Sequence, residues 1–156
     1  MENLEKILAE HPFLKGLSES HIALLNGCAS NVVFKAGEFV FRADSPADHF
    51  YFIRQGRVQM ESMVPQKGPV AIGTRTDGDV FGWSWLVPPY RWHFDARAVE
   101  LTRAVAMDGK CLRNKCENDH DLGYELMKRF LILVAQRLDV ARLQLMDVYG
   151  HGSSKS

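Results

Sequence analysis

The apolar residues of this chain change their period at Asn31, and that change constrains the fold more than any other feature. Before it, Leu4, Ile7 and Leu8 recur at helical spacing, and Ile22 and Leu25, with Leu24, repeat the pattern. Proline disfavours helical geometry in the residue before it, so His11-Pro12 ends the first helix; Ser18 caps the second, with Glu19 in its first turn. From Asn31 come short aromatic and β-branched runs, Val32-Val33-Phe34, Phe39-Val40-Phe41, Phe50-Tyr51-Phe52-Ile53 and Arg57-Val58-Gln59-Met60, separated by Gly, Asp or Pro turns. This is the pattern of an antiparallel β unit. After Asp108, a second N-cap, helical character returns to about Tyr149, with a break near Asn118 to Asp121.

Composition narrows the class of protein. Apolar residues make up 46% and charged residues 24% of 156, an ordinary globular balance in a chain long enough for one domain with its own core. The 19 basic and 19 acidic residues cancel, so the global positive charge of a nucleic-acid binder is missing. No run reaches the roughly 18 apolar residues of a spanning helix, and Met1 to Glu10 lacks the continuous apolar core of a secretory signal. A cytoplasmic location with no membrane partner is expected. Cys28, Cys111 and Cys116 are odd in number and too few for a secreted scaffold, which predicts reduced thiols and no need of a disulfide staple.

The turns and one further segment carry a resemblance. Lys35-Ala36-Gly37-Glu38 lies between the first two runs, Ala43-Asp44-Ser45-Pro46-Ala47-Asp48 between the next two, and Gln55-Gly56 before Arg57-Val58. Then comes Gly78-Asp79-Val80-Phe81-Gly82-Trp83-Ser84-Trp85-Leu86-Val87-Pro88-Pro89-Tyr90-Arg91-Trp92-His93-Phe94-Asp95-Ala96-Arg97-Ala98. This segment resembles the phosphate-binding cassette of the cyclic-nucleotide-binding domains of the catabolite-activator (Crp/Fnr-like) superfamily. Val70 to Gly73 and Thr102 to Met107 extend the likeness over nearly the whole chain. Ala43 departs from it, standing where the family has a glycine before Asp44.

The resemblance implies a mainly β fold: an eight-stranded antiparallel, jelly-roll-like β-roll with N-terminal helices and a long C-terminal helix. The expected layout is one domain, 1–156, with a helical lead-in at 1–29, the roll at 30–108 with its cassette at 78–98, helices at 109–149 and a flexible tail at 150–156. It also implies a regulatory sensor rather than an enzyme, with a nucleotide-like or other small-molecule ligand and a regulated protein partner. In the catabolite-activator group a DNA-reading module follows the long helix; here only Gly150 to Ser156 follow it, so no specific DNA partner is expected.

In the family a cassette glutamate holds the ribose hydroxyl and an arginine grips the cyclic phosphate. With Gly82 and Ala98 as anchors, Trp83 stands at the glutamate place and Trp92 at the arginine place. Tryptophan offers one donor, no acceptor and no charge, so weak or absent conventional binding of cAMP or cGMP is expected. Phe81, Gly82, Trp83, Ser84, Trp85, Arg91, Trp92 and His93 are the candidate ligand-binding residues. Two readings of the tryptophans stand open: they fill the nucleotide hollow, leaving a ligand-free interaction module, or they line an aromatic pocket. A one-residue shift would bring in Arg91 for the phosphate, with His93 as a second donor; otherwise Arg91 is a solvated loop charge.

Other constellations are weaker. His49, His93 and Asp95 include metal-ligating types but form no His-x-His pair with a following Glu. Cys111, Cys116 and His120 read as free thiols beside a helix. Asp95 and Arg97 alternate with Phe94, Ala96 and Ala98, as a strand surface or a structural ion pair would. No cofactor or metal is assigned and no nucleophile motif is present. In the last helix Val134, Leu138, Ala141, Leu145 and Val148 recur in steps of four and three, the seam of a homodimer.

Overall fold

A computed structural model describes residues 4–153. Helix α1 (Leu4–Glu10), a 3-10 turn (Pro12–Leu14) and α2 (Glu19–Asn26) precede the strands β1 (Ala29–Phe34), β2 (Phe39–Phe41), β3 (His49–Gln55), β4 (Arg57–Val64), β5 (Gly68–Thr76), β6 (Val80–Phe81), β7 (Asp95–Ala98) and β8 (Thr102–Asp108). Helices α3 (Gly109–Asn118) and α4 (His120–Ser153) follow. The strands form two four-stranded antiparallel sheets, ordered β1-β8-β3-β6 and β2-β7-β4-β5. The eight-stranded roll with flanking helices is therefore the observed architecture.

Local chemistry sets the boundaries. The Ser18 side chain accepts from the His21 amide at 3.2 Å, and Asp108 accepts from the Cys111 amide at 3.0 Å, each capping the helix it precedes. Asp119 takes extended geometry between α3 and α4, and its carboxylate accepts from the Leu122 amide. The departure at Ala43 causes no strain there. The left-handed residue of that turn is Asp44, φ 68°, a type that tolerates the conformation better than most side chains. Helix α4 continues to Ser153, past the Gly150 at which the sequence reading starts a tail, because nothing at Gly150 breaks the hydrogen-bond ladder. The rest of that tail, 154–156, lies outside the described residues.

Strand β3 alternates between two cores. Phe50 and Phe52 point outward into a cluster with Leu8, Leu14, Leu25, Val105, Met107, Leu122, Leu126 and Phe130, which binds the helices to the roll. Tyr51 and Ile53 point inward, among Phe41, Val58, Met60, Phe81, Trp92, Ala96 and Ala106.

The expectation of reduced thiols requires correction. Cys28, between α2 and β1, is disulfide-bonded to Cys111 in the first turn of α3, their Cα atoms 5.7 Å apart; Cys116 alone is a free thiol. Spacing in the sequence hides this pairing, since 83 residues separate the partners and β1 pairing with β8 brings them together. Such a bridge typically contributes about 2–4 kcal/mol by restricting the unfolded chain.

The N-terminal helices are anchored at His11. Its Nδ1 accepts from the Phe13 amide at 3.1 Å, which leaves Nε2–H to donate to the Gly78 carbonyl at 3.0 Å, and the ring packs edge-on against Phe52. Burial lowers the His11 pKa below its ordinary 6.5, with the Gly78 carbonyl and Asp79 opposing in part. Between the lowered folded value and about 6.5 the unfolded state binds more protons, so stability is full above that window and declines as pH falls through it. Denaturant unfolding at about pH 7.5 and about pH 5.5 is expected to show this loss, and His11→Gln to show a smaller one. Equal losses in both proteins would refute the anchor.

Candidate functional site

The cassette begins where β6 ends. Phe81, buried, stacks on Tyr51 at 5.2 Å between ring centroids and lies 6.0 Å from Phe41. Gly82 follows with φ +95°, a conformation that suits glycine. A Cβ built there would lie 2.8 Å from Cη2 of Trp92, so the indole sits directly against the Gly82 backbone. Ser84, Trp85 and Leu86 then form a 3-10 turn, and the chain returns through Pro88 and Pro89 to a short pairing with the β2–β3 loop. Trp92 donates its amide to the Ser45 carbonyl and accepts from the Asp44 amide, while the Ala47 amide donates to the Tyr90 carbonyl.

These contacts sort the three tryptophans into three environments. Trp92 is 3% exposed and lies flat on Phe41, with 3.7 Å between centroids and 6° between planes, inside the roll. Trp85 is fully buried on the opposite side of the sheet, stacked on Phe50 and edge-on to Phe130. Its indole N–H has no hydrogen-bond partner among the described residues, while its carbonyl accepts from the Arg113 guanidinium, which also lies over the Tyr90 ring. Trp83 is half-buried at the edge of an apolar groove of about 650 Å³ between the cassette and α4, with Leu86, Tyr124, Met127, Leu131 and Val134 in its wall.

Arg91 and His93 are both exposed. Arg91 donates to the Asp44 carbonyl, which secures the loop pairing. The structure therefore brings Phe81, Gly82 and Trp92 together, places Trp83, Ser84 and Trp85 on the helix side, and leaves Arg91 and His93 on the surface.

The polar side chains around the cassette are largely satisfied. Asp95 is buried and accepts from the Ala43 amide at 2.7 Å and from Nε of Arg42 at 3.3 Å. Glu61, also buried, receives the Arg97 guanidinium through two bonds of 3.0 and 2.9 Å and the Gln59 amide at 2.8 Å; the Arg97 hydrogen bond, chiefly, holds its pKa below the usual carboxylate range. Asp95 and Arg97, which read in the sequence as strand-surface or ion-pair residues, each sit in such a pair, with Arg42 and Glu61 respectively. Among the described residues no three His, Cys, Asp or Glu side chains gather as a metal site would need.

Arg137 has no counterpart in the sequence reading. From α4 it donates to the Val80 carbonyl and sets its guanidinium 5.7 Å from the Trp83 ring centroid. Burial, with repulsion from Arg75, lowers its pKa to about 10. It ties the long helix to the start of the cassette at two points. A lone arginine among the polar positions of a helix gives no sign of this in sequence. Of the five seam residues, Val134 is half-buried in the groove, whereas Leu138, Ala141, Leu145 and Val148 are exposed along the outer half of α4.

A model of the cyclic nucleotide-binding domain matches residues 31–119, more than half of the chain. The chain belongs to the cyclic nucleotide-binding domain family. A cyclic nucleotide-binding protein of Geobacter metallireducens GS-15 has a crystal structure 26% identical in sequence, with a TM-score of 0.78 over 88% of this chain and 99% of that one. The catabolite activator protein of Thermus thermophilus, at 19% identity, shares the fold with a TM-score of 0.70 over 86% of this chain and 61% of that one. Two curated relatives are Glutaminase 1 of Bradyrhizobium diazoefficiens, 28% identical over 88% of this chain, and a potassium channel protein of Rhodopseudomonas palustris, 31% identical over 69%. The chain spans about a quarter of their lengths, 22% and 26%.

The position of Trp92 generates a stability prediction. Truncating a buried indole in a close-packed interior typically costs about 3–5 kcal/mol, so Trp92→Ala is expected to lose an amount of that order in denaturant unfolding. A loss below about 1 kcal/mol would mean that the ring lines open space rather than filling the roll.

Proposed function

We propose that this chain is a regulatory module whose conventional cyclic-nucleotide site is closed by Trp92, with α4 as the output element. The observation that carries the reading is the indole against the Gly82 backbone. In a cassette of this kind a phosphate is held by backbone N–H groups and a guanidinium; here the approach to Gly82 is filled by a neutral ring stacked on Phe41. Trp83 supplies no carboxylate for a sugar hydroxyl and faces Arg137 instead. A regulatory rather than catalytic role fits the family. The exposed apolar half of α4 supports pairing with a second copy, and the Trp83 groove offers a surface for a regulated partner protein. We place the module in the cytoplasm; among the described residues no helix is long and apolar enough to cross a membrane.

The second reading is a ligand-free roll that acts constitutively as an interaction module. It is favoured by the same filled position of Trp92. A ligand moves α4 only by binding two helix positions with different affinity, so the readings separate on whether any small molecule alters the helix.

Calorimetry with cAMP and cGMP is expected to show binding weaker than about 1 μM or none. Submicromolar binding, roughly tighter than −8 kcal/mol, would overturn the closed-site reading, and Arg91→Ala would then test whether that arginine had taken the phosphate.

Pairing through α4 has its own test. Sedimentation at concentrations on the order of tens of micromolar is expected to give a dimer, and Leu138→Glu with Leu145→Glu to give a folded monomer by circular dichroism. A monomeric wild type, or a double variant that stays dimeric, would remove this stripe from the interface.

A further inference from the structure

Beside the Trp92–Phe41 stack the mouth of the roll holds a second pocket, of about 360 Å³, with Phe39, Arg42, Asp48, His49, Tyr51 and Trp92 among its lining residues. This is within the lower range of sites that take small molecules, roughly 300–1,000 Å³. Several of its polar groups have no use within the protein. Tyr51 is 7% exposed and enclosed by the rings of Phe34, His49 and Phe81, yet its hydroxyl makes no hydrogen bond among the described residues. Burial pushes the phenol pKa up to about 12, so near neutral pH it remains a donor.

The other three groups complement it. Arg42 spends Nε on Asp95 and lies over the Phe39 ring at 3.9 Å, which fixes the plane of its guanidinium. Its two terminal nitrogens have no hydrogen-bond partner among the described residues, and neither has the His49 ring or the Asp48 carboxylate. The buried carboxylates of the roll are engaged, Glu61 through both oxygens and Asp95 through Oδ1. The Tyr51 hydroxyl is not among the fully enclosed polar atoms, so it is a donor open to a molecule in the pocket.

We propose that this mouth pocket binds a small zwitterion of the α-amino-acid kind, its carboxylate on the Arg42 fork and the Tyr51 hydroxyl, its ammonium on Asp48, and its side chain against Phe39 and Trp92. Charge selects this class. Arg42 already faces Asp95, and Asp48 adds a second carboxylate, so a phosphate dianion would meet two like charges around one guanidinium. A molecule with one charge of each sign and no net charge meets complementary groups at both ends. The planar fork suits a carboxylate through two parallel bonds. The pocket adjoins the position that Trp92 closes, with Phe41 and Trp92 in its wall, and binding here goes beyond the regulatory reading by giving the roll a ligand that leaves the indole in place.

The test uses the full chain. Thermal shifts with each of the twenty standard amino acids at about 10 mM, followed by calorimetry on those that shift, are expected to yield at least one with Kd below about 1 mM. The carboxylic acid and the amine that each carry the same side chain, but only one of the two charges, are expected to bind at least about tenfold more weakly. Arg42→Gln and Asp48→Asn are each expected to weaken binding about tenfold or more, and Tyr51→Phe, which keeps the ring packing, about fivefold. Absence of binding by every amino acid, equal binding by a half-ligand, or binding indifferent to these substitutions in variants folded by circular dichroism would overturn the proposal. A cyclic nucleotide that binds bears on the closure by Trp92 and leaves these outcomes separate.

Discussion

Burial of β3 on both faces is the constraint on which the rest of the molecule depends. A strand that alternates Phe50 and Phe52 outward with Tyr51 and Ile53 inward satisfies two cores at once, so a one-residue slip would place each set in the wrong environment. Hydrogen bonding to β8 on one side and β6 on the other leaves it no free edge. The outward face recruits Trp85 and Phe130, which brings the cassette and α4 to the same cluster. The inward face sets the depth of the roll and leaves room for one indole on Phe41.

The sequence discloses what local chemistry decides. Helix caps at Ser18 and Asp108, the change of period at Asn31, and the two turn glycines at Gly37 and Gly56 are one-dimensional signals, because each depends on neighbours within a few residues. At Gly56 the local demand is φ +130°, and the fold adds one that is not local: a Cβ there would meet Thr102 within 2.5–2.8 Å. The cassette is legible in the same way, as a frame of glycines and small residues.

Its content was less legible, since the frame does not say which way a large side chain turns. Trp83, Trp85 and Trp92 look alike in sequence, and only the sheet they face separates groove, outer core and roll interior. The disulfide and the Arg137 contacts depend on tertiary placement across 83 and 57 residues, respectively, and no spacing rule reaches that far. Arg91 shows the converse. Its chemistry suits a phosphate, but the pairing of residues 44–47 with 90–92 commits it to a loop carbonyl. A candidate residue is a donor to a ligand only after the backbone around it has been satisfied.

Arg137 gives α4 the geometry of a lever. The helix has 34 residues, on the order of 50 Å at 1.5 Å per residue, and Arg137 lies about midway along it. Roughly 24 Å of helix extends from that point to Ser153, so a tilt of about 10° about the Val80 contact would sweep the far end through about 4 Å. A small rearrangement at Val80 or Trp83 would thus arrive at the tip as a displacement comparable to a side-chain diameter, with Arg137 as the fulcrum.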